Sequence, residues 1–163
     1  MRTLKILSVG NSFSMDTMRR LDCIAKGMGV EEMKLWNLFV PGCPVARHYE
    51  HATTDAPAYV RYANTGDGWV ETPNFKISDA LAEGDWDWIN IQHGSSGGSW
   101  YSVPSYYEKL PALVEYIRER APGAKVSFNL TWTGEPEHHH REIEATGGDQ
   151  LAAYHKIADL TRE

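Results

Sequence analysis

The chain has 163 residues, a net charge of −6 and 42% hydrophobic residues, with a pI near 5.6. That describes one globular domain over residues 1–163 with room for a sizeable core. The acidic balance argues against a nucleic-acid surface, and no run of about 18 apolar residues exists to cross a membrane.

The first element is Leu4-Lys5-Ile6-Leu7-Ser8-Val9-Gly10-Asn11-Ser12-Phe13-Ser14. An apolar run stops at a glycine, a polar pair follows, and a helical pattern begins. This predicts a buried strand over 4–10, a tight turn and a helix over 13–29. Met15, Met18, Leu21, Cys23, Ile24, Ala25 and Met28 form the helix's apolar stripe, which places Cys23 in the core. In an open α/β sheet, ligands bind at the carboxyl ends of the strands. Ser12 is therefore a candidate nucleophile, with helix N-terminal amides to meet an oxyanion. Two simpler readings stand beside it. Ser12 or Ser14 is a helix N-cap, or the turn binds an anion without chemistry.

Met33 to Val40 reads as the second strand, stopped by Pro41-Gly42, which makes a βαβ unit. Residues 44–53 read as a short helix carrying His48 and His51. Cys43 lies in a Pro-Gly-Cys-Pro turn, where a reactive thiol is an alternative to a structural one. Two cysteines make no disulfide framework. Ala58–Asn64 and Gly68–Thr72 flank Thr65-Gly66-Asp67-Gly68, a hairpin signal, and predict an insertion beside the main sheet. Residues 76–83 form a short helix.

Asp85 to Gln92 is the third main strand, followed by the Gly/Ser-rich segment His93 to Tyr101. Six Trp and eight Tyr accompany four Phe. Such amphipathic rings suit half-exposed clefts. Trp36, Trp86 and Trp88 are expected in the core, and Trp100 and Tyr101 are candidates for a substrate-facing platform. Residues 105–120 form an amphipathic helix with Tyr106, Leu110, Leu113, Val114 and Ile117 inward. Lys125 to Thr131 is the fourth strand, and Asp149 to Arg162 is the last helix. His138, His139 and His140 invite a metal reading, but consecutive residues on a regular element cannot all face one ion. No metal or organic cofactor is expected.

Gly10-Asn11-Ser12-Phe13-Ser14 after a first strand resembles the first block of the SGNH (GDSL-like) hydrolase superfamily. In particular it looks like the branch with GNSF in place of GDSL, which includes an uncharacterised bacterial family of the DUF4886 type. The resemblance implies a flavodoxin-like three-layer α/β/α sandwich with a mostly parallel sheet. It also implies a serine esterase acting on an acylated carbohydrate or a small ester. Ser12 would attack the carbonyl, and the N–H groups of Ser12 and Gly42 would hold the oxyanion. Gly42 is equally well read as a plain turn glycine. The superfamily's third block, Gly-x-Asn-Asp, is absent. Gln92 is the nearest amide for a third donor, with Ser95 behind it, and a loop-tying role for Gln92 is the alternative.

The superfamily's final Asp-x-x-His, which supplies the base, is also missing. His93, and His138 in Glu135-Pro136-Glu137-His138, are the substitutes within the chain. The chain is thus expected to be C-terminally incomplete relative to that pattern, with weak or no esterase activity alone. An uncovered sheet edge would then favour pairing between copies. A non-catalytic glycan- or anion-binding protein is the alternative. No nucleic-acid or membrane partner is expected. The N-terminus runs into Gly10-Asn11-Ser12 rather than a signal-peptide h-region, so a cytoplasmic location is expected, or secretion if a signal was removed.

Overall fold

The computed structural model of the chain describes residues 3–30, 32–66, 68–93, 103–132, 141–144 and 146–162. Strands β1 (Leu4–Gly10), β2 (Met33–Phe39), β3 (Tyr59–Asn64), β4 (Trp69–Phe75), β5 (Trp88–Gln92) and β6 (Lys125–Asn129) form one sheet in the order β4-β3-β2-β1-β5-β6. The helices are α1 (Ser12–Gly27), α2 (Val45–Thr53), α3 (Ile77–Ala82), α4 (Val103–Arg120), α5 (Arg141–Glu144) and α6 (Gln150–Arg162).

The sheet is mixed rather than mostly parallel. β2, β1, β5 and β6 pair in parallel. The β3–β4 hairpin is not an insertion beside the sheet. It extends the sheet antiparallel to β2 and runs longer than its turn signal suggested. The physical reason is that β2 would otherwise be an open edge, and a hairpin can satisfy that edge's backbone groups without a crossover helix.

The two faces of the sheet differ in chemistry. Leu7 and Val9 line up with Trp36, Leu38, Ile89 and Ile91. They pack against Val45, Ile77, Leu81, Leu113 and Ile117 of α2, α3 and α4 in one large apolar cluster. The opposite face carries Ile6 and Leu35 against Met18, Leu21 and Ala25 of α1. Farther along, the α1 face turns polar. Asn37, Ser8, Asn90 and Ser127 stand in register across four strands. Asn90 Nδ2 donates to Ser8 Oγ at 3.4 Å, and Ser127 Oγ donates to Asn90 Oδ1 at 3.2 Å.

Two placements expected from the sequence are corrected. Cys23 and Ile24 are exposed because they sit on the arc of α1 away from Met15, Met18 and Ala25, and Met28 is exposed because it is the C-cap beyond the helix. Trp88 is 39% exposed at the start of β5, with Lys125 Nζ 5.0 Å from its ring, whereas Trp36 and Trp86 are buried. A strand's first residue lies beyond the helices that cover its middle. No helix among the described residues is long and apolar enough to cross a membrane.

Gly10 is where β1 meets both α1 and β5. A Cβ there would lie 2.5 Å from Ser14 Oγ and 2.7 Å from Gln92 Cβ. Overpacking of this kind costs roughly 1–3 kcal/mol. Gly10→Ala is therefore expected to lower the unfolding free energy by that amount, seen as a lower urea midpoint with an unchanged m-value.

Candidate functional site

All four parallel strands end at the same rim. Ser12 follows β1, Pro41-Gly42-Cys43 follows β2, His93 follows β5, and Leu130 to Trp132 follow β6. The chain leaves β1 for β2 on one side and later returns to β5 on the other. The rim between β1 and β5 is therefore the switch point at which open α/β sheets form a crevice.

Asn11 builds the centre of this rim. It is 1% exposed, in extended backbone conformation, and it is the N-cap of α1. Its Oδ1 accepts from Phe13 N at 3.1 Å, and its Nδ2 donates to Cys43 O at 3.3 Å. The cap is thus asparagine, not the serine weighed from the sequence. Ser14 is buried, with Oγ 2.7 Å from Asn11 O and 2.9 Å from Asn37 Oδ1. Its single hydrogen serves the Asn11 carbonyl, and the second contact is satisfied when the Asn37 amide is turned so that its nitrogen donates.

With Asn11 capping and Ser14 buried, Ser12 is the exposed hydroxyl of the turn. It opens α1, where the helix dipole and the first-turn N–H groups present positive potential. Gly42 is half-buried at φ +57, a conformation that favours glycine,. Its turn is tied to β1 through Asn11 and through Val40 N donating to Gly10 O at 3.0 Å.

The two β5 residues are engaged with the protein itself. Gln92 is fully buried, and its Nε2 donates to both His93 O and Asn129 O at 3.2 Å. Both amide hydrogens are thereby occupied, the arrangement of a residue that ties β5 to β6. His93 Nδ1 accepts from Val45 N at the start of α2 at 3.2 Å. In the neutral ring the proton then sits on Nε2, which makes that nitrogen a donor. Ser95, Trp100, Tyr101, His138 and the rest of the histidine run lie outside the described residues. Among the described residues, no three His, Cys, Asp or Glu side chains converge as metal ligands do.

Two groups went unrecognised in the sequence. Cys43 Sγ lies 3.5 Å from His48 Nδ1, which is 2.9 Å from Tyr59 OH. All three residues are fully buried. Burial pushes the Cys43 thiol up to about 12, so it stays protonated and is no nucleophile,. Burial, helped by the charges of His51 and His93, pushes His48 down to about 3. The five-residue spacing from Cys43 to His48 on a turn and helix was the available signal. The second group is Trp132, 53% exposed, whose ring meets Phe13 edge-on at 4.6 Å and 88°. Phe13 directly follows Ser12, so an exposed indole stands beside the turn.

Residues 5–163 match the model of the DUF4886 family, described as a domain of unknown function. The crystal structure of a DUF4886 family protein from Bacteroides uniformis ATCC 8492 is similar over 99% of this chain, with a TM-score of 0.89 and 32% sequence identity. The chain spans 62% of that crystallised chain. No functionally curated protein matches.

Asn11→Ala removes the cap and leaves the buried Cys43 carbonyl unsatisfied, together about 2–4 kcal/mol. Asn11→Ser keeps the cap and loses only the Cys43 bond, so it is expected to cost about half as much in urea unfolding. His48 adds a pH dependence. Its folded value lies below the unfolded value near 6.5, so the unfolded chain takes up the proton first,. Its contribution is full above pH ~6.5 and is lost as pH falls towards ~3. Unfolding free energy is expected to drop by about 1–2 kcal/mol between pH ~7.5 and ~5 on this account. Removal of that slope in His48→Gln is the check.

Proposed function

We propose that this chain, which belongs to the DUF4886 family, is an SGNH-type serine esterase acting on an acylated carbohydrate or small ester, on a flavodoxin-like three-layer fold. The observation that carries the proposal is Ser12. It is the exposed hydroxyl at the first position of α1, on the switch-point rim, with its neighbours Asn11 and Ser14 buried and hydrogen bonded. The likeness of Gly10 to Ser14 to the first SGNH block supports the same assignment.

In this reaction Ser12 Oγ adds to the ester carbonyl carbon and its proton passes to a base. The carbonyl oxygen becomes an oxyanion facing the N–H groups of Ser12 and Gly42. Collapse breaks the bond to the alcohol oxygen, which leaves with a proton. Water then hydrolyses the acyl-serine by the same steps, freeing the acid and Ser12. Gln92 acts here by tying the rim, since its amide hydrogens bond backbone carbonyls. His93 holds α2 through Val45 N. The base is assigned to a histidine outside the described residues, with His138 the first to test.

A second reading, a glycan- or anion-binding protein without catalysis, is favoured by those same commitments of Gln92 and His93. The two readings separate on labelling by a fluorophosphonate probe, with and without added imidazole as an external base. The esterase reading expects label on Ser12, absent in Ser12→Ala and reduced at least about tenfold in His138→Ala without imidazole. No label under either condition rejects it in favour of binding alone.

A further inference from the structure

We propose that Trp132 is the stacking platform for a neutral pyranose ring, so that the substrate's alcohol is a sugar. This rests on the esterase reading of Ser12 for its catalytic consequence, but not for binding. An indole more than half exposed is commonplace when isolated on a surface. Trp132 instead packs against Phe13 at the end of a strand that is itself fastened to its neighbours. Its ring sits edge-on against Phe13 at 4.6 Å. Three residues earlier, Asn129 Nδ2 donates to Thr17 Oγ1 at 3.2 Å, and Thr17 Oγ1 donates to Phe13 O at 3.1 Å. Gln92 Nε2 holds Asn129 O from the other side. The end of β6 is thus fastened both to α1 and to β5, and the indole is carried beside Phe13, the residue after Ser12.

The chemistry around the ring selects its occupant. An indole offers a flat π-face, which suits the C–H face of a pyranose. The exposed hydroxyl of Ser12, next in the chain to the Phe13 that the indole touches, suits the ring's oxygens,. The chain's net charge of −6 favours a neutral sugar over an anionic one,.

The test uses glucose pentaacetate as the sugar ester, with ethyl acetate and ethyl hexanoate as ring-free controls. Binding is read by saturation-transfer NMR on the Ser12→Ala variant, where no turnover intervenes. Adding Trp132→Ala is expected to weaken glucose pentaacetate binding about tenfold, and Trp132→Phe about threefold. In chain with Ser12 intact, Trp132→Ala is expected to raise KM for the sugar ester about tenfold with kcat little changed. Turnover of ethyl acetate should stay within about twofold. Trp132→Phe keeps an aromatic ring against Phe13 and serves if the alanine variant does not fold. Unchanged sugar affinity in both variants overturns the proposal, and so does a loss that is equal for ethyl hexanoate. Trp132-dependent sugar binding with no turnover of any ester sustains the platform and rejects only the esterase reading.

Discussion

The rim depends on one side chain used twice. Asn11 closes the first turn of α1 with its carbonyl oxygen and holds the Cys43 carbonyl with its amide nitrogen. These two bonds join a helix start to the loop after the neighbouring strand, 32 residues away. Neither a serine nor an aspartate does both. Serine is too short to reach across, and aspartate at neutral pH has no hydrogen to donate. The close contact of Gly10 with Ser14 and Gln92 follows from the same geometry, since the turn can fold back on the sheet only where no Cβ intervenes.

Around that turn the sheet separates stability from accessibility. The face under α2, α3 and α4 is apolar and closely packed. The face under α1 becomes polar towards the rim, through Asn37, Ser8, Asn90 and Ser127. Satisfied buried polar networks of this kind hold geometry at the expense of some hydrophobic gain. Cys43, His48 and Tyr59 lie directly behind the rim and stay neutral near pH 7 because burial opposes every charge on them,. They brace the Gly42 turn from within.

The groups that bond to the protein itself are as informative as the exposed ones. Gln92 and His93 lie at the carboxyl end of β5, where an oxyanion donor or a base would be sought. Instead Gln92 joins two strands and His93 accepts the first amide of α2. Ser12 and Trp132 are exposed side chains at the described rim, one able to form a bond and the other able to hold a ring.

The α/β class, the order of the elements and the Gly10-Asn11-Ser12 turn were legible in the sequence, because each rests on local pattern. Apolar runs read as strands, a 3.6-residue stripe as a helix, and Gly and Pro as stops. The exposure of Cys23 was not legible, since an apolar stripe gives a helix's period but not which arc meets the sheet. The joining of the β3–β4 hairpin to β2, the cap by Asn11 and the contact of Trp132 with Phe13 were not legible either. Each is a pairing between residues distant in the chain, or a choice among several polar side chains that local pattern permits equally. Only packing decides such choices, because it alone determines which donor lies within reach of which acceptor.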